Sequence, residues 1–188
     1  MVEERLPFLD EAAEIVAEQV EAIARIDETS VDALLTAIDG ANRVFVLGEG
    51  RSGLVGRMFA MRLMHLGHQA FVVGETTTPS ITNGDLLIAI SGSGETGSVV
   101  LLAEGASKAA VTIAAVTANA ESRLAHLADF TIVLPTQHKL EGASSRQYGG
   151  SLFEQTTLLL FETMVSMRTA GDASAGFASL AKRHANLE

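Results

Sequence analysis

Residues 86–96 read LLIAISGSGET, an apolar run that changes abruptly into alternating serine and glycine before Glu95 and Thr96. The apolar run is typical of a strand buried on both faces, and residues 98–110, which follow, are helix-forming. Alternating serine and glycine let the backbone curl, so that successive N–H groups and hydroxyls face one point at the start of the helix. The stretch therefore predicts a phosphate site between a strand and a helix N-terminus. A glycine-rich turn without a ligand is the structural alternative.

The change from an apolar run to a helix-forming segment recurs along the chain. Strands are predicted where Val, Ile, Leu and Phe cluster, at residues 43–47, 70–73, 86–90, 111–116 and 130–134. Helices are predicted between and after them, at residues 53–66, 98–109, 121–127 and 151–168. Strands made of continuous apolar runs are typical of a parallel sheet that is covered on both faces. The pattern predicts an α/β fold, a doubly wound five-stranded parallel sheet flanked by helices in three layers, α/β/α.

Residues 1–40 are predicted to form an N-terminal helical extension to this sheet. One face of its first helix is apolar and carries Leu9, Ala13, Val16, Val20 and Ile23, whereas glutamates occupy another face. This apolar face either covers the chain's own domain or contacts a second subunit. A second helix is predicted at residues 30–38, with Ser30 as its N-cap.

The C-terminal part of the chain is predicted to contain a loop, a long helix and a tail. The loop, residues 136–150, is polar and long enough to be functional. Residues 171–188 predict a last short helix and a tail. The length of the chain predicts that residues 1–188 form a single domain.

The composition restricts the partners and the compartment. The 188 residues include no cysteine, which excludes a disulfide scaffold and a thiolate metal site. The formal net charge of −10 disfavours binding to nucleic acid and to anionic lipid. No apolar run reaches the roughly 20 residues that span a bilayer, and the acidic N-terminus lacks the hydrophobic segment of a signal peptide. We expect a cytoplasmic protein with no nucleic-acid and no membrane partner.

A second glycine-rich loop, residues 48–53, reads GEGRSG between a predicted strand and a predicted helix. This spacing, with the acidic Glu75 further along the chain, is also the fingerprint of a dinucleotide site. The serine-rich turn after a later strand argues against that interpretation, because a dinucleotide-binding enzyme needs no second phosphate loop. Arg51 and Ser52 fit better as ligands of a phosphate or a sugar.

Four motifs together carry a resemblance to a known family. They read GEGRSGLVGRMFAMRLMHLG, VVGETTTPSITNGDLLIAISGSGET, SSRQYGGSLFEQ and RHANLE. The chain resembles a SIS (sugar isomerase) domain, and within that superfamily it closely resembles the 6-phospho-3-hexuloisomerases. The resemblance covers the chain from about residue 45 to its end, whereas the first forty residues match only in being helical.

The resemblance implies a function and an assembly. It implies an isomerase that interconverts D-arabino-hex-3-ulose 6-phosphate and D-fructose 6-phosphate through a cis-enediol, in formaldehyde fixation by the ribulose monophosphate pathway. It also implies a flavodoxin-like fold, no metal and no organic cofactor, a homo-oligomer that is typically a tetramer, and a 3-hexulose-6-phosphate synthase as functional neighbour. A SIS isomerase of another sugar phosphate and a non-catalytic phosphosugar-sensing SIS module are the alternatives.

The resemblance also assigns roles to residues. It implies that the serine-rich turn binds the phosphate and that Ser52 is a further substrate contact. The turn comprises Ser91, Gly92, Ser93, Gly94, Glu95 and Thr96. The motif SLFEQ assigns the catalytic base to Glu154, although Ser151 to Glu154 also matches a capping box.

Three further residues are candidates on weaker grounds. His184, in the RHANLE tail, is the candidate shuttle for hydroxyl protons, because in several SIS isomerases a group from another subunit completes the pocket. A tail that docks only for stability is the alternative. Glu75 ends a predicted strand and is expected to face the cleft. Gln147 is expected either to position the sugar or to order its loop.

Overall fold

The five apolar runs of the sequence become the strands of one parallel sheet. The computed structural model describes residues 7–136, 145–169 and 180–186. Its strands are β1 (Val44–Gly48), β2 (Ala70–Val72), β3 (Leu86–Ile90), β4 (Thr112–Thr117) and β5 (Phe130–Val133). They pair in the order β2–β1–β3–β4–β5, and every pairing is parallel. The predicted five-stranded parallel sheet is confirmed.

Helices cover both faces of this sheet. They are α1 (Phe8–Ala24), α2 (Glu28–Gly40), α3 (Gly50–Leu66), α4 (Gly97–Lys108), α5 (Arg123–Leu127) and α6 (Ser151–Thr169). One face packs against α2, α3 and α6, where the stacked rings of Phe59 and Phe161 lie 4.0 Å apart. The other face packs against α4 and α5. The predicted three-layer architecture is confirmed, and none of the helices described is long and apolar enough to cross a membrane.

The strand order decides between the two interpretations of the first glycine-rich loop. The chain passes from β1 to β2 on one side and returns to β3 on the other side of β1. This is the flavodoxin-like order, whereas the dinucleotide-binding Rossmann fold orders its strands differently. In such sheets the ligand binds where the direction of winding reverses, outside the carboxyl ends of the strands. That point lies between β1 and β3.

The described part of the N-terminal extension, from residue 7, contains α1 and α2, and the second of these helices begins earlier than expected. The helix α2 has Asp27 as its N-cap, and not Ser30. The Asp27 carboxylate accepts hydrogen bonds from the N–H groups of Thr29 and Ser30, both at 3.2 Å. A carboxylate satisfies two of the unpaired N–H groups at once and also favours the positive end of the helix, so it prevails over the nearby serine.

The apolar face of α1 points away from the rest of the chain. Val16 and Val20 are 59% and 63% exposed, whereas Gln19 is buried. Gln19 donates a hydrogen bond to Gln155 of α6 at 2.9 Å and accepts one from Thr156 at 3.2 Å. Ala22 is also buried and Ile23 is half-buried, so α1 docks through Gln19 and its C-terminal end. The rest of the predicted apolar face is exposed at Leu9, Ala13, Val16 and Val20, and the expectation that this face covers the chain's own domain is wrong for these residues.

Two of the predicted segments lie only partly within the described residues. Residues 137–144 of the predicted loop and residues 171–179 of the predicted tail lie outside them. Residues 145–150 and 180–186 are described, and residues 180–183 are helical. That the whole chain forms one domain stays a prediction.

An ion pair joins the loops that precede β1 and β3, at the end of the sheet opposite the crevice. Arg43 binds both carboxylate oxygens of the buried Asp85, at 3.0 and 2.6 Å. The backbone N–H of Thr82 donates to the same carboxylate at 2.8 Å. Burial raises the pKa of Asp85, but the hydrogen bonds from Arg43 and Thr82 and the charge of Arg43 outweigh it and lower the pKa below its ordinary value.

Replacing Asp85→Asn should lower the free energy of unfolding at pH 7 by about 2 kcal/mol, because hydrogen bonds to a buried charge are lost. The folded-state pKa lies below the unfolded value of about 3.9, so this stabilisation is present above about pH 4 and is lost as the pH falls through the folded pKa. The loss of stability between pH 5 and pH 3 should therefore be smaller in the variant than in the wild type. Urea denaturation at several pH values measures both effects.

The matched control is Asp39→Asn, which removes one partner of the exposed pair between Asp39 and Arg168. It should change the stability by less than about 1 kcal/mol. An Asp85→Asn variant with the same acid dependence as the wild type would contradict the role of the pair.

Candidate active site

A cavity opens at the carboxyl ends of β1 and β3, where the direction of winding reverses. Its volume is about 360 Å³. It is bounded by the turn after β1, the turn after β3 and the start of α6, through Glu49, Gly50, Ser52, Ile90, Ser91, Gly92, Ser93, Thr96, Gly150, Phe153 and Glu154. The two phosphate-binding loops predicted from the sequence thus line one cavity, together with the segment of the predicted base.

Three helices begin at this cavity. The helix α3 starts at Gly50, α4 at Gly97 and α6 at Ser151. The N-cap side chains of α3 and α4, Glu49 and Thr96, accept no hydrogen bond from their helices. Helix N-termini present N–H groups and a partial positive charge. The cavity therefore attracts an anion, although the whole chain has a net charge of −10.

The serine-rich turn presents hydroxyls to the cavity in a fixed arrangement. The hydroxyls of Ser91 and Thr96 lie 2.9 Å apart and share a hydrogen bond. The N–H of Gly94 donates to the Ser91 hydroxyl at 3.1 Å, and the N–H of Glu95 donates to the Ser93 hydroxyl at 3.2 Å. The polar atoms of the turn are therefore held close together before any ligand binds.

Two glycines allow the turn to fit between its neighbours. Gly94 has a φ of +67°, and a Cβ at this position would lie 2.0 Å from the Ser122 hydroxyl. A Cβ on Gly92 would lie 3.1 Å from the ring of Phe153. Glycine is needed at position 94 for both its backbone angle and its space, and Gly92 lets α6 approach the turn.

Glu95 belongs to the turn, but its side chain points away from the cavity. Its carboxylate accepts a hydrogen bond of 2.7 Å from the N–H of Arg123, at the start of α5. The side chain therefore anchors the turn to α5, and the contact between Glu95 and the substrate stays a prediction.

Glu154 lies in the first turn of α6, at the wall of the cavity, and is 3% exposed. Its carboxylate accepts a hydrogen bond from Nε of Arg51, at the start of α3. The alternative capping box does not form, because the Ser151 hydroxyl donates to the carbonyl of Tyr148 at 2.8 Å and the N–H of Glu154 donates to the carbonyl of Gly150. The carboxylate is therefore directed to the cavity and not to its own helix.

Glu75 and Gln147 lie outside the set of residues that line the cavity. Glu75 follows β2 and forms an ion pair with Arg57 of α3. Gln147 is buried and donates a hydrogen bond of 2.9 Å to Glu18 of α1. Of the two roles expected for Gln147, these contacts favour ordering the loop.

His184 lies at the other end of α3 from the cavity. Its ring stacks on that of the buried His65, with the ring centres 5.6 Å apart. Burial lowers the pKa of His65, as do the charges of Arg62 and His184. Fourteen residues of helix separate Arg51 from His65, about 21 Å at ~1.5 Å per residue. His184 therefore does not reach Glu154 of the same chain.

Sequence reasoning missed Glu18, which orders the segment that leads to α6. Its carboxylate accepts hydrogen bonds from the Ser145 hydroxyl, the Arg146 N–H and the Gln147 amide, at 2.8 to 2.9 Å. Burial raises the pKa of Glu18, but these hydrogen bonds and the charge of Arg146 outweigh it and lower the pKa below its ordinary value. The only signal in the sequence was an acidic helix face, which does not distinguish Glu18 from its neighbours.

Phe153 and Glu49 also line the cavity and were not predicted as site residues. Phe153 is buried and packs on Gly92, and its position beside Glu154 was the available signal. Among the described residues, no three His, Asp or Glu side chains are grouped as metal ligands would be.

Comparison with known proteins identifies the family of the chain. Residues 37–157 match the model of the SIS domain family. The chain is 48% identical to a 3-hexulose-6-phosphate isomerase of Mycobacterium gastri, over 91% of this chain and 86% of that protein. It is 39% identical to the enzyme of the same name from Bacillus subtilis, over 94% of this chain and 96% of that protein.

A solved structure extends the likeness to the fold. It is the crystal structure of a hypothetical protein of Methanococcus jannaschii, for which a molecular function of 3-hexulose-6-phosphate isomerase was inferred. The two chains superpose with a TM-score of 0.83 at 35% identity, over 95% of this chain and 99% of the other. The chain belongs to the SIS domain family and, within it, to the group of the 3-hexulose-6-phosphate isomerases.

Proposed function

We propose that the protein interconverts D-arabino-hex-3-ulose 6-phosphate and D-fructose 6-phosphate through a cis-enediol. One observation carries the proposal: the buried carboxylate of Glu154 lies in the wall of a cavity lined by serine hydroxyls and helix N-termini. Such a cavity combines a base with an anion site. The names of the two curated relatives support the choice of sugar. A 3-hexulose-6-phosphate synthase, in formaldehyde fixation by the ribulose monophosphate pathway, is the reaction partner that the resemblance implies.

The substrate's phosphate binds at the serine-rich turn. The hydroxyls of Ser52, Ser91, Ser93 and Thr96 line the same cavity as the N-termini of α3 and α4. Hydroxyls and N–H groups donate hydrogen bonds, and bonds to a dianion are stronger than bonds between neutral groups. A phosphate therefore replaces the contact between Ser91 and Thr96 with a stronger contact to each of them.

The reaction moves a carbonyl between C3 and C2, and one base on one face of the sugar is sufficient. Glu154 takes the proton from C2 of the hex-3-ulose, the C–H electrons form the C2–C3 double bond, and the C3 oxygen gains a proton. Glu154 then donates the proton to C3 of the resulting cis-enediol, while the hydroxyl at C2 loses its proton and becomes the carbonyl. The product is fructose 6-phosphate, and Glu154 is again a carboxylate.

A second group must move the hydroxyl protons between the oxygens at C2 and C3. We assign this role to His184 of a second copy of the chain, because His184 is exposed and too distant from Glu154 of its own chain. The exposed apolar face of α1 supports an assembly that brings such a copy close. We propose a homotetramer.

The first test uses fructose 6-phosphate in deuterated water, followed by NMR. The wild type should introduce deuterium at C3, because only a C2–C3 enediol loses the proton there. Glu154→Gln should lower this exchange at least ~10²-fold, since the variant keeps the shape of the side chain and loses the base. Its melting temperature should stay close to that of the wild type.

The control is Glu162→Gln, the same change on the same helix at an exposed pair with Arg62. Its exchange should equal that of the wild type. Deuterium at C1 instead of C3 in the wild type would indicate an aldose–ketose isomerase, and no exchange would indicate a sensing module. Normal exchange in Glu154→Gln would show that Glu154 is not the base and would make Glu75 the next candidate.

The second test removes the hydroxyls of Ser91 and Thr96 together. Each hydrogen bond to a charged group contributes roughly 1.5–3 kcal/mol, so the double alanine variant should bind fructose 6-phosphate at least ~10²-fold more weakly. Calorimetry measures the affinity, and a melting curve shows that the variant is folded. The control is Ser107→Ala at the exposed end of α4, which should bind as the wild type does. Wild-type affinity in the double variant would exclude the turn as the phosphate site.

The third test concerns the assembly. Light scattering should give a mass of several times 19.7 kDa, and Val20→Glu should reduce it by placing a charge on the exposed face of α1. Leu101→Glu, an equally exposed apolar position on α4, is the control. Mixing inactive Glu154→Gln protein with His184→Ala protein should restore part of the activity if sites are shared between subunits. A fully active monomer would contradict both the assembly and the role of His184.

A further inference from the structure

The ion pair between Arg51 and Glu154 joins two residues of very different exposure. The side chain of Glu154 is 4% exposed and that of Arg51 is 63% exposed. Each residue lies in the first turn of its helix, α3 or α6. Glu154 lines the cavity itself, and Arg51 stands between two residues that line it, Gly50 and Ser52. The base of the proposed reaction is therefore paired with an arginine whose side chain is mostly exposed to solvent.

Two anions compete for Arg51 in the proposed reaction, the carboxylate of Glu154 and the phosphate of the substrate. Among the described residues that line the cavity, two are carboxylates, Glu49 and Glu154, and none is cationic. The neighbour of Arg51 in sequence, Ser52, lines the cavity itself. A phosphate dianion that binds there carries more charge than the carboxylate and presents three acceptor oxygens. Leaving the buried carboxylate of Glu154 unpaired costs free energy, so Arg51 exchanges partners only for a stronger anion such as a phosphate dianion.

We infer that Arg51 controls whether the carboxylate of Glu154 is available as a base, and we call this role a latch. Arg51 pairs with Glu154 until the phosphate of a bound substrate binds the guanidinium and leaves the carboxylate unpaired. A carboxylate oxygen that already accepts a guanidinium N–H is less available to a proton, so the base becomes competent only when a phosphorylated sugar is in place. This inference rests on the proposed function, since it makes the phosphate part of the control of the base.

The latch predicts a coupling between Arg51 and Glu154 in the binding of inorganic phosphate, which needs no turnover. Calorimetry on four proteins measures it: the wild type, Arg51→Ala, Glu154→Gln and the double variant. Glu154→Gln should bind phosphate about two- to fivefold more tightly than the wild type, because Arg51 no longer has to leave a carboxylate. In the Arg51→Ala background the same change should give a clearly smaller gain.

Each other result would overturn the latch. An equal gain in both backgrounds would mean that Glu154 only repels the phosphate. A loss of affinity in Glu154→Gln would mean that Glu154 holds Arg51 in place as a phosphate ligand. No change in any of the three variants would mean that phosphate does not meet Arg51. Arg51→Gln replaces Arg51→Ala if melting curves show that the alanine variant is unfolded.

The matched control is the pair of Arg62 with Glu162, which joins the same two helices away from the cavity. Arg62→Ala, Glu162→Gln and their double variant should all bind phosphate as the wild type does. The proposed function is tested separately by deuterium exchange into fructose 6-phosphate. Coupling between Arg51 and Glu154 without deuterium exchange in the wild type would support the latch and contradict the proposed isomerase. Exchange without coupling would support the isomerase and contradict the latch.

Discussion

The pairing of β1 with β3 is the constraint on which the rest of the structure depends. Val44 pairs with Leu86 and Gly48 with Ile90, so both strands end at the same level. The chain then continues into helices on opposite faces of the sheet, and the two turns meet over one crevice. A Cβ on Gly53 would lie 2.5 Å from the carbonyl oxygen of Gly48, so the close contact of two glycines keeps α3 at this edge. The anion site follows from backbone register before any reactive side chain is considered.

Local patterns were sufficient to predict the sheet and the serine-rich turn. The apolar run that ends at Ile90 gave β3 without error, because a strand buried on both faces differs from its surroundings in every residue. The predicted N-cap of α2, Ser30, was wrong. Asp27 and Ser30 are both good N-cap residues, and which of them caps the helix depends on the folded geometry. The contact of Arg51 with Glu154 was not predictable, because 103 residues separate them and only the packing of α3 on α6 brings them together.

The orientation of α1 on the rest of the chain was also not predictable from the sequence. Its two faces were clear in the sequence, but the two residues that are buried, Gln19 and Ala22, lie outside the predicted apolar face. Gln19 bonds to Gln155 and Thr156, and Glu18 bonds to the segment at residues 145–147, directly before α6. Polar pairing leaves the apolar stripe of α1 exposed. The extension thus orders the start of the helix that carries Glu154. In the proposed assembly, the exposed stripe of α1 would contact a second copy, so the same helix would connect assembly and site.

The charge of the protein explains why the cavity is built from helix N-termini. A surface with a net charge of −10 repels anions at a distance, so attraction has to be confined to the site. Helix ends do this, because their potential falls off within the first turn and adds no net charge. Glu154 lies in the same region, in the first turn of α6, beside the proposed phosphate site. In the proposed mechanism two negative groups, the carboxylate of Glu154 and the substrate phosphate, share one positive region. Arg51 then pairs with Glu154 before the phosphate binds and with the phosphate afterwards.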